Sequence, residues 1–162
     1  MEDSVDIVRD LLEAVGNIIN ESEQATEKLA RLQALATKTT ATLTGMPGGG
    51  NSDKEALLAK LADERASWAR VLERYVLASD VVRDFIEGSP LTDREKTLML
   101  ERYLGAMAWP YVYREINRME PKVSERTMYR MHNRAFDKLV EYYNSGGLNE
   151  ENTMLIRTIV QR

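Results

Sequence analysis

LTDREKTLMLERYLGAMAWPYVYREINRMEPKVSERTMYRMHNRAFDKL, residues 91–139, sets the architecture of this chain. Gly88, Ser89 and Pro90 supply a turn ahead of it. Thr92, with Glu95 three residues on, has the spacing of a capping box, in which each side chain accepts from the other's backbone N–H. Leu98, Leu100 and Leu104 then mark a first helix, closed by Gly105. Pro110 suits the first turn of a second helix, where its missing N–H would be unpaired anyway. Val112, Ile116 and Met119 give that helix an apolar face, and Pro121 ends it. Ser124 caps a third helix, on which Met128, Met131, Ala135 and Leu139 recur at spacings of three and four and so face a core.

The other side of the third helix is basic. Lys122, Arg126, Arg130, Arg134 and Lys138 fall every fourth residue, opposed by Glu125 and Asp137. A short helix, a tight connection and a capped basic helix are the parts of a helix-turn-helix that lays its last helix in the major groove of DNA. The expected fold is therefore all-α: a long antiparallel, coiled-coil-like hairpin over residues 1–88, a three-helix helix-turn-helix domain over 89–143, and a tail over 144–162.

Residues 91–139 resemble the promoter-binding region 4 of bacterial primary sigma factors, with VSERTMYRMHNRAFDKL following that pattern of apolar, capping and charged positions. The chain as a whole resembles the phage late transcription regulators of the ArpU and RinA type, ERYLGAMAW matching their RY…W signature and SERTMYRMHNRA their recognition helix. The resemblance implies a DNA-binding regulator that reads a promoter or operator with the helix of residues 124–143. It places base-edge contacts at Glu125, Arg126, Tyr129 and Arg130, and phosphate contacts at Lys122, Ser124, Arg134 and Lys138. An arginine there can hold guanine O6 and N7 with both guanidinium arms, and Glu125 can accept from a cytosine amino group. RNA polymerase is the protein partner the resemblance suggests. Two positions depart from the sigma pattern: the turn NRMEPKV is one residue longer, and Tyr129 stands where arginine is usual.

Composition bounds the rest. With 162 residues and 43% hydrophobic side chains, the chain suits one domain with an elongated extension, or two small ones. The absence of cysteine excludes disulfides and thiolate metal sites, and the single histidine, His132, has no carboxylate at metal-ligand spacing. No metal, cofactor or catalytic residue is expected, and the reading is non-enzymatic. No apolar run approaches the roughly 20 residues needed to span a bilayer, and the acidic start does not look like a signal peptide. The expectation is a soluble protein of the bacterial host cytoplasm. Charge is segregated: residues 1–88 hold 10 basic and 16 acidic side chains, net −6, against 10 and 8, net +2, in 89–143. Attraction for phosphate is thus concentrated in the second segment.

Within the first segment Val8, Leu11, Val15, Ile18, Ser22, Ala25, Leu29, Leu32, Ala36, Thr39 and Leu43 alternate at three and four, the seam of a coiled coil. TGMPGGGNSD, residues 44–53, breaks the helix as a flexible turn with Asp53 as the next cap; it lacks the lysine and hydroxyl order of a phosphate-binding loop. A second seam runs through Leu58, Leu61, Arg65, Trp68, Leu72, Tyr75, Ser79, Val82 and Ile86. Leu12, Ile19, Leu57, Val71 and Val81 widen the stripes, which suggests packing on a second copy, a dimer being the expected homo-oligomer, or on the C-terminal helices of the same chain. Two other readings stand beside the transcription regulator. One is a small terminase subunit that recognises DNA for packaging; the other is a helical adaptor or inhibitor that grips a host protein without DNA.

Overall fold

The computed structural model describes residues 3–42 and 51–160, and every regular element among them is helical. Two long helices, α1 (Ser4–Thr42) and α2 (Asn51–Gly88), pack against each other as a hairpin. Leu43 and residues 44–50 of the glycine-rich turn lie outside the described residues, as does the side chain of Thr39. Asp53 does not cap α2. The helix starts two residues earlier, at Asn51, leaving Asp53 in the first turn, where a carboxylate favours the positive end of the helix dipole.

The chain forms two compact units, residues 1–17 with 76–162, and residues 18–75. The division falls inside the hairpin, not at its end near residue 88. In the first unit Val8, Leu11, Leu12 and Val15 of α1 are buried, as are Ala78, Val81, Val82, Phe85 and Ile86 of α2. Leu12 and Val81, two of the residues flanking the seams, are thus covered within a single chain.

In the unit of residues 18–75, α1 follows its expected seam: Ile18 is buried, and Ser22, Ala25, Leu29 and Leu32 are half-buried. The Ser22 hydroxyl meets its need for a partner by donating to the Ile19 carbonyl at 2.8 Å. On α2 the inward line is Leu57, Leu61, Glu64, Trp68, Val71 and Tyr75, whereas Leu58, Arg65 and Leu72 are exposed, which corrects the seam. Both lines share Leu61, Trp68 and Tyr75 and differ by one residue between them. The phase found spares Arg65 an unpaired burial. It brings in Glu64 instead, whose carboxylate meets Lys28 at 2.6 Å. Arg74 pairs with Glu21 at 2.8 Å, and Trp68 Nε1 donates to Thr26 Oγ1 at 3.2 Å.

Three helices follow in the first unit: α3 (Asp93–Met99), α4 (Trp109–Ile116) and α5 (Glu125–Asn144). Their core is Leu91, Leu98, Met99, Val112, Ile116, Met128, Met131, Ala135 and Leu139, all buried. Each large side chain among them contributes about 1.5–3 kcal/mol of transfer free energy. The capping box at Thr92 and Glu95 is complete. The first helix does not run straight to Gly105, however. It widens into one π-type turn over Leu100–Leu104, and a Cβ at Gly105 would lie 2.7 Å from the Glu101 carbonyl oxygen. The second helix stops at Ile116, sooner than Pro121 would require, and Met119 lies half-buried in the turn.

Residues 144–160 of the tail belong to the first unit. Gly146 takes φ +89° to turn the chain, the Asn149 side chain accepts from the Asn152 N–H at 2.7 Å, and α6 (Glu150–Val160) buries Ile156 and Ile159.

Candidate nucleic-acid interface

Helix α5 is held at both ends and along its buried side, and that is what presents its outer face. Ser124 caps it by accepting from the Thr127 N–H at 3.2 Å, and its hydroxyl also lies 2.9 Å from that of Thr127. The connection before it is cross-braced by Asn117, whose side-chain oxygen accepts from the Val123 N–H at 2.8 Å while its amide donates to the Val123 carbonyl at 3.1 Å. Asparagine at the C-cap of α4 closes this longer turn as a backbone mimic. From α3, the Arg94 guanidinium donates to the carbonyls of Ile116 and Met119 at 3.2 and 3.1 Å, tying the end of α4 and the turn after it to α3.

An aromatic cluster fixes α5 from its other flank. The Trp109 ring lies 5.0 Å from Tyr129 and, edge-on, 5.0 Å from His132, with the Arg102 guanidinium 4.7 Å above it. Arg102 also donates to the Met107 carbonyl at 2.8 Å. Tyr103 Oη is 2.8 Å from His132 Nε2, and His132 Nδ1 is 3.2 Å from Asn133 Oδ1. A neutral imidazole protonated on Nδ1 satisfies both bonds: the phenol donates to Nε2 and Nδ1–H donates to Asn133. Burial pushes His132 below the ordinary histidine range, Asn133 opposes the shift and the Arg102 charge adds to it. Burial raises Tyr103 in turn. Arg102, Tyr103 and Trp109 of the ERYLGAMAW segment thus brace α5, and packing accounts for Trp109.

The expected base-reading residues Glu125, Arg126, Tyr129 and Arg130 are all exposed on the first two turns of α5, Tyr129 at 42%. Arg126 and Arg130 lie opposite the buried line of Met128, Met131 and Ala135. Arg134 flanks them, and no ion pair to Arg126, Arg130 or Arg134 occurs among the described residues. Thr127, Arg130, Asn133 and Arg134 line one shallow groove. Asn133 and Thr127 escape a search for cations at every fourth residue. Asn133 falls one turn past Arg130 on the i+3 track, and its amide is one of the side chains that can pair with adenine N6 and N7. Lys122 and Ser124 are exposed just before the helix.

Lys138 stands apart from the ladder it belongs to in sequence. Its ammonium lies 2.9 and 2.8 Å from the two carboxylate oxygens of Glu95, a residue only 6% exposed. Glu95 also accepts from the Thr92 N–H at 3.0 Å. Burial would raise the Glu95 pKa, but the hydrogen bond from Lys138, the Thr92 N–H and the Lys138 charge outweigh it and hold the carboxyl below its usual range. A cation committed in this way joins α5 to α3, and its charge is already matched within the chain.

Among the described residues no cluster of histidine and carboxylate could hold a metal ion, and no helix is long and apolar enough to cross a membrane. No protein-family model matches the chain, no curated protein is significantly similar to it, and no solved structure matches it.

Proposed function

We propose that this chain is a sequence-specific DNA-binding protein of the transcription-regulator kind, which reads a promoter or operator with the exposed face of α5. The observation that supports this reading is the pairing of a firmly held helix with cations that no ion pair neutralises among the described residues. Arg126 and Arg130 project from the N-terminal half of α5, the part a helix-turn-helix inserts into the major groove. Asn133 lies beside Arg126 around the helix, two turns further along it. Arg134, Lys122 and the Ser124 hydroxyl sit where contacts to phosphate fix register without reading sequence. Overall acidity does not oppose this, because the negative excess lies in residues 1–88.

The test is selection of bound duplexes from a random-sequence pool by the full chain and by Arg126→Ala/Arg130→Ala. Enrichment of one motif that the double variant loses is the expected result. Equal enrichment by both, or no retained DNA even at low salt, overturns the reading.

A further inference from the structure

The two edges of the hairpin unit of residues 18–75 differ in kind. One is closed by the ion pairs Lys28–Glu64 and Arg74–Glu21. On the other, α2 exposes Leu58, Ala62, Arg65, Ala69 and Leu72, with Leu58 at 51% and Leu72 at 37%. Their spacings are four, three, four and three, those of a second coiled-coil seam beside the one already filled by α1. The neighbouring side chains of α1 on this edge are uncharged: Thr26, which accepts from Trp68, and Gln33 one heptad on.

We propose that this outer line of α2 is a docking surface for a second copy of the same chain, with the two α2 helices antiparallel. Charge and size together select that occupant and that direction. A parallel copy would set Arg65 against the partner's Arg65 in the centre of the contact, and alanine against alanine at both Ala62 and Ala69. Reversing one helix about a two-fold axis near residue 67 sets Leu72 against the partner's Ala62, and Arg65 against the partner's Ala69. Each of these layers then matches a large side chain with a small one, which lets the helices approach closely there, and Leu58 falls opposite the partner's Val76, itself exposed. The partner's Glu73 lies one turn from the partner's Ala69 and within reach of the Arg65 guanidinium, so the only charge on the line gains a counter-ion. This inference does not depend on the DNA reading.

The chain has no cysteine, so the geometry can be tested by introducing pairs of thiols. In one α2 helix, positions 62 and 72 are about 15 Å apart along the axis, beyond a short bis-maleimide reagent. The full chain carrying Ala62→Cys/Leu72→Cys should form a covalent dimer rapidly, while each single variant should not. Rapid cross-linking of Ala62→Cys alone would mean a parallel contact and overturn the proposal. Sedimentation equilibrium supplies the independent arm. Leu72→Asp, at an exposed position that leaves helicity unchanged, should weaken self-association at least about tenfold, as expected for a charge placed at the centre of an interface. Arg65→Glu should weaken it too, and Arg65→Glu/Glu73→Arg should restore it. A wild-type chain that stays monomeric at high micromolar concentration, or a dimer indifferent to Leu72→Asp, would refute the surface.

Discussion

Lys138 of α5 grips the carboxylate of Glu95 of α3 through both oxygens, at 2.8 and 2.9 Å, so that the capping residue of one helix is also the anchor of another. Glu95 is buried and Lys138 partly exposed, which makes the pair worth more than a surface bridge and exposes it to asymmetric loss. Lys138→Ala leaves a buried carboxylate without its cation and should cost about 1–3 kcal/mol of stability, read as a shift in urea midpoint. DNA affinity at temperatures well below unfolding should stay near that of the wild type, because the Lys138 ammonium is already held by Glu95. A large loss of affinity with unchanged stability would contradict this assignment.

The same pair gives a pH dependence of definite sign. The folded-state pKa of Glu95 lies below its unfolded value, so the folded chain releases this proton more readily. The stabilisation is fully present above the unfolded carboxylate pKa and is lost as pH falls through the lower folded value. Glu95→Gln should flatten the acid limb of a stability profile relative to the wild type, while lowering stability at neutral pH.

His132 acts at higher pH for a different reason. Its folded-state pKa is depressed by burial, so below the ordinary histidine pKa of about 6.5 the unfolded chain takes up a proton that the folded ring resists. Stability from this group is complete above that pH and declines as pH falls toward the depressed folded value. Chemical denaturation at neutral and mildly acidic pH should show a smaller difference for His132→Phe than for the wild type. An identical difference in both proteins would place the imidazole in water, not in the Tyr103–Trp109 cluster.

Asn117 and Gly105 test the turns that aim α5. Asn117→Ala removes both hydrogen bonds to Val123 and should cost about 1–3 kcal/mol. Because the turn then loosens, selectivity among DNA sequences should fall more than affinity for non-specific DNA. Gly105→Ala drives a Cβ to 2.7 Å from the Glu101 carbonyl oxygen and should destabilise by a comparable amount, about 1–3 kcal/mol, through backbone shift.

Salt dependence reports on the cations of the face. Phosphate contacts from Lys122 and Arg134 predict a slope of log K against log salt of roughly −2 per subunit, since each neutralised phosphate contributes about −0.9. Arg134→Ala should reduce the slope by about one and weaken all sequences alike. Arg126→Ala should cost roughly 1–3 kcal/mol of discrimination at one base pair. A slope near zero would remove DNA from consideration.

Caps and apolar periodicity are local, and they were legible. Thr92 with Glu95, Ser124, and the line Met128, Met131, Ala135 and Leu139 specify where helices start and which side they bury, because the chemistry lies within one or two turns of chain. The two long helices and their hairpin follow from the same repeat. What needed the folded chain was every choice between neighbours of equal local merit. Positions 57, 64 and 71 and positions 58, 65 and 72 of α2 both fit a seam at the common Leu61, Trp68 and Tyr75. Pairing of Glu64 with Lys28, against the cost of burying Arg65, selects between them. Lys138 repeats the spacing of Arg126, Arg130 and Arg134, yet it is neutralised by a carboxylate 43 residues away, a distance no local pattern encodes. Helical period assigns a side chain to a face, and long-range pairing then fixes whether its charge is spent inside the protein or left for a partner.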